Sequence, residues 1–417
     1  MQPDDSLKTA VSPAYDLFSP HFKADPFPTF AALRRDDPIY PHIAPDGSTI
    51  WYISRYEDAV DALKDNEHFV KDRRNTLEQK ERGQAHTSSF MQRLINENML
   101  FSDPPDHTRL RALVNQAFTP RRVEQMAPRL QIIADNLLDR AAPHGEMDLI
   151  ADFALPLPTI LITELLGIPQ ADRDEVQDWS QAIIAPGRHG LTYSARKRKV
   201  RTFVQYLQEL FAERRLNPQD DLTTALAAAK VAGAEEGGER LTEAELSSMV
   251  ALLLVTGHET TVNLIGNGAL ALLRHPAQLA WMKENGRWET AVEELLRYDG
   301  PVETSTTRWV RQDVDYKGHA MKRGDVVRVV LTAANRDGCQ FHQPDDLDLS
   351  RTPNRHLAFG HGIHYCLGAP LARLEGVIAL QTLFGRFPDL RLAVPEADLK
   401  WRSGVLFRGL ERLPLIW

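Results

Sequence analysis

The chain has 417 residues, 43% of them hydrophobic, and its 49 Lys and Arg against 57 Asp and Glu leave a formal charge of −8. This is globular composition, which excludes disordered and fibrous classes, and the acidic balance argues against a nucleic-acid partner. The two cysteines, Cys339 and Cys366, are too few for a disulfide framework and form no CxxC pair, in keeping with a reducing cytoplasm. No basic, then apolar, leader opens the chain, and the apolar run Met249–Val255 is far short of the about 20 residues that cross a bilayer, so neither a signal peptide nor a membrane anchor is expected.

In chain order, Pro26–Arg35 reads as a short helix, and Thr49–Ser54 as a strand entered through an Asp46-Gly47 turn. The polar stretch Lys71–Asn98 reads as a long, mobile loop. Helical spacing then dominates, in Leu130–Leu138 and in Ile160–Leu166, the latter stopped by Gly167-Ile-Pro169. The basic stretch SARKRKVR reads as the solvated face of a surface helix. Thr242 and Glu245 form a capping box, opening a helix that runs to Arg274-His275-Pro276. Its about 30 residues span roughly 45 Å, and it is apolar around most of its circumference, so it belongs in the core. Short strands follow at Asp313–Tyr316 and Val326–Leu331, with a turn at Lys322–Asp325, and a last long helix starts just after Cys366 and ends near Phe387. No repeat or linker interrupts the chain. It is expected to be one domain, 1–417, mainly α with a smaller β region: β-rich at about 38–56 and 301–352, helical at about 107–300 and 367–387.

The most informative segment is Phe359–Gly368, FGHGIHYCLG. Gly360, Gly362 and Gly368 surround Cys366 where the backbone needs positive φ or close approach to a flat ligand. Cys366 also precedes a helix, whose free amides and dipole favour a thiolate. A lone cysteine is ordinarily a buried apolar residue; Cys339, in Asp337-Gly-Cys-Gln, has no such glycine lattice and reads as incidental.

Within the long helix stands Thr256-Gly-His-Glu-Thr-Thr261. Gly257 costs a helix interior about 1 kcal/mol relative to Ala, which close approach of a planar group, or of another helix, would explain. Thr260 can return its hydroxyl to the carbonyl of Thr256, and Glu259 and Thr260 together can order water beside a ligand. Glu294 and Arg297 share a helix face, as do His107 and Arg111.

Phe359, Gly362, Cys366 and Gly368 fill every fixed position of FxxGxxxCxG, which resembles the haem-binding loop of the cytochrome P-450 superfamily. The resemblance runs from Asp25-Pro-Phe-Pro-Thr-Phe30 to Arg408-Gly-Leu410. It is nearest to the bacterial group that includes macrolide and vitamin D hydroxylases, through Ser102–Arg111 and Gly257–Ile265. It implies the P-450 fold, a triangular α-helical prism with a long central helix over haem b, and Cys366 as the thiolate ligand of the iron. Thr256–Thr261 resembles the oxygen-activation motif [AG]GxET[TS], departing from it at Thr256, and the resemblance makes Glu259 and Thr260 the catalytic proton-delivery pair. Gly257, Phe359, Gly362 and Gly368 would lie against the haem. His107, Arg111, Arg308 and His364 match propionate ligands. Glu294, Arg297 and Arg351 match a structural lock beneath the haem.

The activity implied is monooxygenation, a hydroxylation or epoxidation of a large, mostly apolar molecule such as a macrolide, polyketide or sterol-like compound. Electrons would come from a ferredoxin and its reductase, docked on the cysteine side of a cytoplasmic monomer. Substrate contacts are expected from Met91, Leu100, Leu252, Val255, Thr256, Val302, Glu303, Thr304, Ser305 and Leu406. A peroxide-driven haem-thiolate enzyme would share the cysteine loop but ordinarily lacks the acid–alcohol pair. A non-catalytic haem sensor would need Cys366 without Glu259 and Thr260.

Overall fold

A computed structural model describes residues 15–77, 94, 96–184, 192–230 and 240–417. The capping box is present: the Glu245 amide donates to the Thr242 hydroxyl and the Thr242 amide donates back to the Glu245 carboxylate. The helix it opens, Glu243–Arg274, has 32 residues. Every residue from Thr261 to Leu272 is buried, so this half is enclosed on all sides. It packs on the helices Pro156–Leu165, Trp288–Asp299 and Ala369–Arg386, the last beginning three residues beyond Cys366. Among the described residues this is the one helix long and apolar enough to cross a membrane, but 72% of its apolar window is buried in protein.

The main sheet has the order β1-β2-β8-β5-β3, built from Ile39–Ile43, Thr49–Ile53, Phe69–Val70, Arg308–Val310 and Val326–Val329 as β1, β2, β3, β5 and β8. Only β2 and β8 run parallel, in register Trp51↔Val327. Antiparallel pairing of β3 with β5 sets Val70 opposite Trp309, which brings the chain after β3 beside the start of β5. The expected strand Val326–Leu331 ends at Val329, because Leu331–Ala334 coils into a buried helical turn against Phe27–Asp36. The stretch read as all-helical also contains a strand, β4 (Glu146–Asp148), paired with β10 (Pro414–Ile416) near the C-terminus. Three residues are too few to show alternation, and the partner is remote in sequence. SARKRKVR lies in the helix Tyr193–Leu216, where Lys199 pairs with Asp178 at 2.6 Å. Most of the expected long loop lies outside the described residues, Met91 included.

Glu294, Arg297 and Arg351 form a buried junction instead of a surface pair. Glu294 and Arg297 have fully buried side chains joined by two 2.8 Å bonds. Arg351 Nε reaches both Glu294 oxygens at 3.1 Å, and the Asp348 amide and Asn354 side chain donate to the same carboxylate at 3.0 Å. Arg297 in turn donates to the carbonyls of Asn335, Pro344 and Asp346, stitching the segment before the cysteine loop to Trp288–Asp299. Replacing Glu294 with Ala leaves two guanidinium groups without their counter-charge. It should cost about 3–5 kcal/mol in a urea unfolding titration, against about 1 kcal/mol for Thr242→Ala at the exposed helix cap.

Candidate active site

The cysteine loop is a tight backbone structure. The Cys366 amide donates to Phe359 O at 2.9 Å and the Gly360 amide to Leu357 O at 2.8 Å. Gly360 and Gly362 have φ of 72° and 73°, and a Cβ on Gly362 would lie 2.9 Å from the Leu63 carbonyl oxygen. The loop therefore presses on the end of the helix Tyr56–Lys64, where no side chain fits. Cys366 exposes its sulfur to a cavity of about 430 Å³, whose floor is the cysteine loop and whose roof is the long helix. Burial pushes the Cys366 thiol above its ordinary value, while the Gly368 and Ala369 amides and the Arg111 and Arg373 guanidinium groups act in the opposite direction. The helix start alone thus does not make the thiolate; a metal cation at the sulfur would, by neutralising the charge that burial penalises.

Along the roof, Thr256, Gly257 and Thr260 face the cavity, and the Thr260 hydroxyl donates to Thr256 O at 3.0 Å. Glu259 does not line it. Its carboxylate is buried and ion-paired with Arg402, on the segment that leads to Leu406 and Phe407. The expectation that acid and alcohol sit side by side at the ligand is thereby corrected: at about 100° per residue the lining arc of this helix runs through Thr256, Gly257, Thr260 and Thr261, and Glu259 falls outside it, where Arg402 holds it. The extra hydroxyl of Thr256 is engaged within the helix, to Leu252 O at 2.7 Å. A Cβ on Gly257 would meet Ile162 at 3.2 Å, so helix packing is the space constraint seen at this glycine.

One end of the cavity gathers four residues from three separate parts of the chain, His107 and Arg111 sharing one helix. His107 and His364 place their rings 4.3 Å apart, Arg111 donates to Tyr365 O at 2.9 Å, and Arg308 donates to Leu63 O at 3.2 Å. His107 Nε2, His364 Nε2, and Nε and Nη1 of Arg308 are buried with no hydrogen-bond partner among the described residues. Burial, together with Lys71, Arg308, His107 and Arg111, drives the His364 imidazole down to about 2, and burial lowers Arg308 to about 10. Orphaned buried donors in a positive field are costly unless an anion accepts from them. Two carboxylates on a planar group that meets Cys366 would satisfy them. The chemistry of the donor set therefore fits haem.

Leu100, Leu252, Val255, Thr256, Val302, Ser305 and Leu406 line the cavity as expected. Glu303 and Thr304 do not. Glu303 is 2% exposed and pairs with Lys23 at 2.6 Å, and the Thr304 hydroxyl donates to Val405 O at 2.9 Å. The backbone here is no regular strand, and its irregular course turns both from the cavity that Val302 and Ser305 face.

Among the lining residues missed from sequence are Lys71 and Glu375. Lys71 was lost in a stretch read as a polar loop. Glu375 could have been found from helical spacing, four residues after Leu371 on the same face. Glu375 is fully buried and accepts from the Thr261 hydroxyl at 2.8 Å. Burial raises its carboxyl from 4.5 to about 8, with Thr261 opposing. In the native state it therefore keeps its proton where the unfolded chain has lost it. Its contribution is fully present below pH about 4.5 and declines as pH rises through about 8. Wild-type stability measured relative to Glu375→Gln should fall across that window and level off above it; a flat difference would contradict the assignment.

A thiol beneath a long helix, facing an apolar cavity edged by basic side chains with unpartnered nitrogen atoms, defines a haem-thiolate site. The family model "Cytochrome P450" matches residues 288–398. The polyketide biosynthesis cytochrome P450 PksS of Bacillus subtilis (strain 168) is 44% identical over 96% of this chain and 98% of its own. The cytochrome P450 monooxygenase PikC of Streptomyces venezuelae is 44% identical over 98% and 95%, and the vitamin D(3) 25-hydroxylase of Pseudonocardia autotrophica 41% identical over 98% and 98%. The solved structure of PksS superposes with a TM-score of 0.88, covering 97% of this chain and 99% of that one. This chain belongs to the cytochrome P450 family, and is a haem b monooxygenase.

Proposed function

We propose that Cys366 would hold the haem iron through its sulfur, that His107, Arg111, Arg308 and His364 would hold the propionates, and that Thr260 and Glu259 supply protons to the cavity. The observation that carries this is the meeting, in one cavity, of the Cys366 sulfur, four orphaned donor atoms and the Thr260 hydroxyl. When bound, the haem supplies the oxidising chemistry: with dioxygen, two electrons and two protons, one oxygen atom enters a substrate C–H bond and the other leaves as water. Thr260 is the proton-bearing group at the roof. Glu259 recharges it, and can do so only by leaving Arg402, since the two side chains start on different faces of the helix.

The substrate is a large, mostly apolar molecule of macrolide, polyketide or sterol-like type. Leu252, Val255, Val302, Leu406 and Phe407 offer it apolar contact, Ser305 a hydroxyl, and the removal of Glu303 from the cavity leaves no carboxylate among the described residues to hold an amine at that edge. The names of the relatives, a polyketide-pathway enzyme and a vitamin D(3) hydroxylase among them, point the same way. We further propose a cytoplasmic, monomeric enzyme that takes electrons from a ferredoxin and its reductase. The docking face is the cysteine side, where a depression of about 530 Å³ is lined by Arg373, which stacks 4.5 Å over the Phe359 ring.

Reduced protein treated with carbon monoxide should show a strongly red-shifted Soret band that Cys339→Ala keeps and Cys366→Ala loses; the opposite pattern sinks the assignment. A macrolide, polyketide and sterol panel should convert the iron from low to high spin, whereas a response to small polar amines alone would refute the substrate class. With a responding compound, Glu259→Gln should slow ferredoxin-supported turnover about 100-fold while leaving the carbon monoxide spectrum unchanged.

A further inference from the structure

Lys71 is a buried basic side chain for which neither the fold nor the four carboxylate-binding residues above account, and burial holds its amine well below the ordinary lysine value. It follows β3 directly, and the Val70↔Trp309 pairing sets it beside Thr306, Thr307 and Arg308. Only 2% of it is exposed. Its ammonium donates to Thr306 O at 3.0 Å, to Thr307 O at 3.2 Å and to the Thr306 hydroxyl oxygen. No described carboxylate pairs with it. The nearest negative field is that of Asp103, whose oxygens already accept from the Lys71, Asp72 and Asn75 nitrogens. Burial and the adjacent Arg308 both work against the charge, and Asp103 alone supports it. Three neutral acceptors are weak compensation for an ammonium group taken out of water.

Two features say what would complete the site. Thr306 lines the cavity next to Arg308, and because its oxygen accepts from Lys71, its own proton is directed elsewhere, free to be donated into the cavity. Asp103 also acts on His107 and Arg308. Without Lys71 it would cancel one of the two guanidinium groups at this end, leaving one net cation for two incoming carboxylates.

We propose that Lys71 is a positioning residue of the carboxylate cradle: it supplies the third positive charge and, through Thr306, a hydroxyl donor to a haem propionate. This rests on the assignment of the cavity to haem. A cation at the propionates favours the iron state of lower positive charge, so it should raise the reduction potential as well as retain the cofactor. The test uses holoprotein. In Lys71→Met, haem should transfer to excess apomyoglobin about tenfold faster, and the ferric/ferrous equilibrium should move about tenfold toward ferric, about 59 mV for one electron. Lys71→Arg should hold both properties near wild type, and Thr306→Val should shift both in the direction of Lys71→Met.

Wild-type haem transfer and potential in Lys71→Met overturn the proposal, as does an equal shift in Lys71→Arg, which would make the role steric. If Lys71→Met loses only the spin-state response to myristate, the cation serves a substrate carboxylate and the proposal is likewise overturned. Should Lys71→Met yield no holoprotein, Thr306→Val decides: unchanged haem transfer and potential reject the relay. A wild-type protein without the red-shifted carbon monoxide band would instead sink the haem assignment itself.

Discussion

Positive charge buried beside a thiol is the constraint on which the architecture turns. Arg308 and Lys71 are among the most deeply buried side chains. Taking such groups from water without a counter-ion is unfavourable by several kcal/mol each. A fold that keeps them at one end of an apolar cavity is preorganised for an anionic ligand, with its donors already aimed and little reorganisation left at binding.

The scaffold that holds them is divided between helices and sheet. The buried half of Glu243–Arg274 makes the roof rigid, while its solvent-side start is anchored by the capping box. The floor is held from below by the Glu294–Arg297–Arg351 junction, whose bonds to the carbonyls of Asn335, Pro344 and Asp346 fix the segment leading to Phe359. Leu63 links the parts: its carbonyl accepts from Arg308 and lies where a side chain on Gly362 would have to go. Sheet, cysteine loop and the Tyr56–Lys64 helix therefore meet at a single peptide group.

Polar groups near the cavity are arranged by which side of an element they occupy. Thr260 faces inward and Glu259 faces Arg402; Ser305 faces inward and Glu303 faces Lys23. The result is a cavity whose walls are apolar over the substrate region and cationic at one end. Among the described residues, carboxylates are kept out except for Glu375, which burial keeps protonated at neutral pH. The Arg402 and Leu406 positions share one C-terminal segment, so the wall that a substrate touches and the partner of Glu259 are covalently close.

Sequence alone determined those features that depend on local spacing or on residue types demanded by one chemistry. The capping box, the Gly167 stop, the long core helix and the Phe359–Gly368 loop were all legible, because backbone hydrogen bonding and positive φ constrain residues within a few positions of each other. His107 and Arg111 were linked by helical spacing, but their grouping with Arg308 and His364 came only through family resemblance, since nothing local links the three segments. What tertiary structure decided was facing and burial. Whether Glu294–Arg297 was a surface pair or a core junction, whether Glu303 reached the ligand, and whether Glu259 stood beside Thr260 all depended on partners more than a hundred residues away or on elements packed from elsewhere. Lys71 shows the reason most plainly. Its neighbours in sequence are polar and its neighbours in space are Thr306, Thr307 and Arg308, brought there by a two-residue strand pairing too short to leave a pattern.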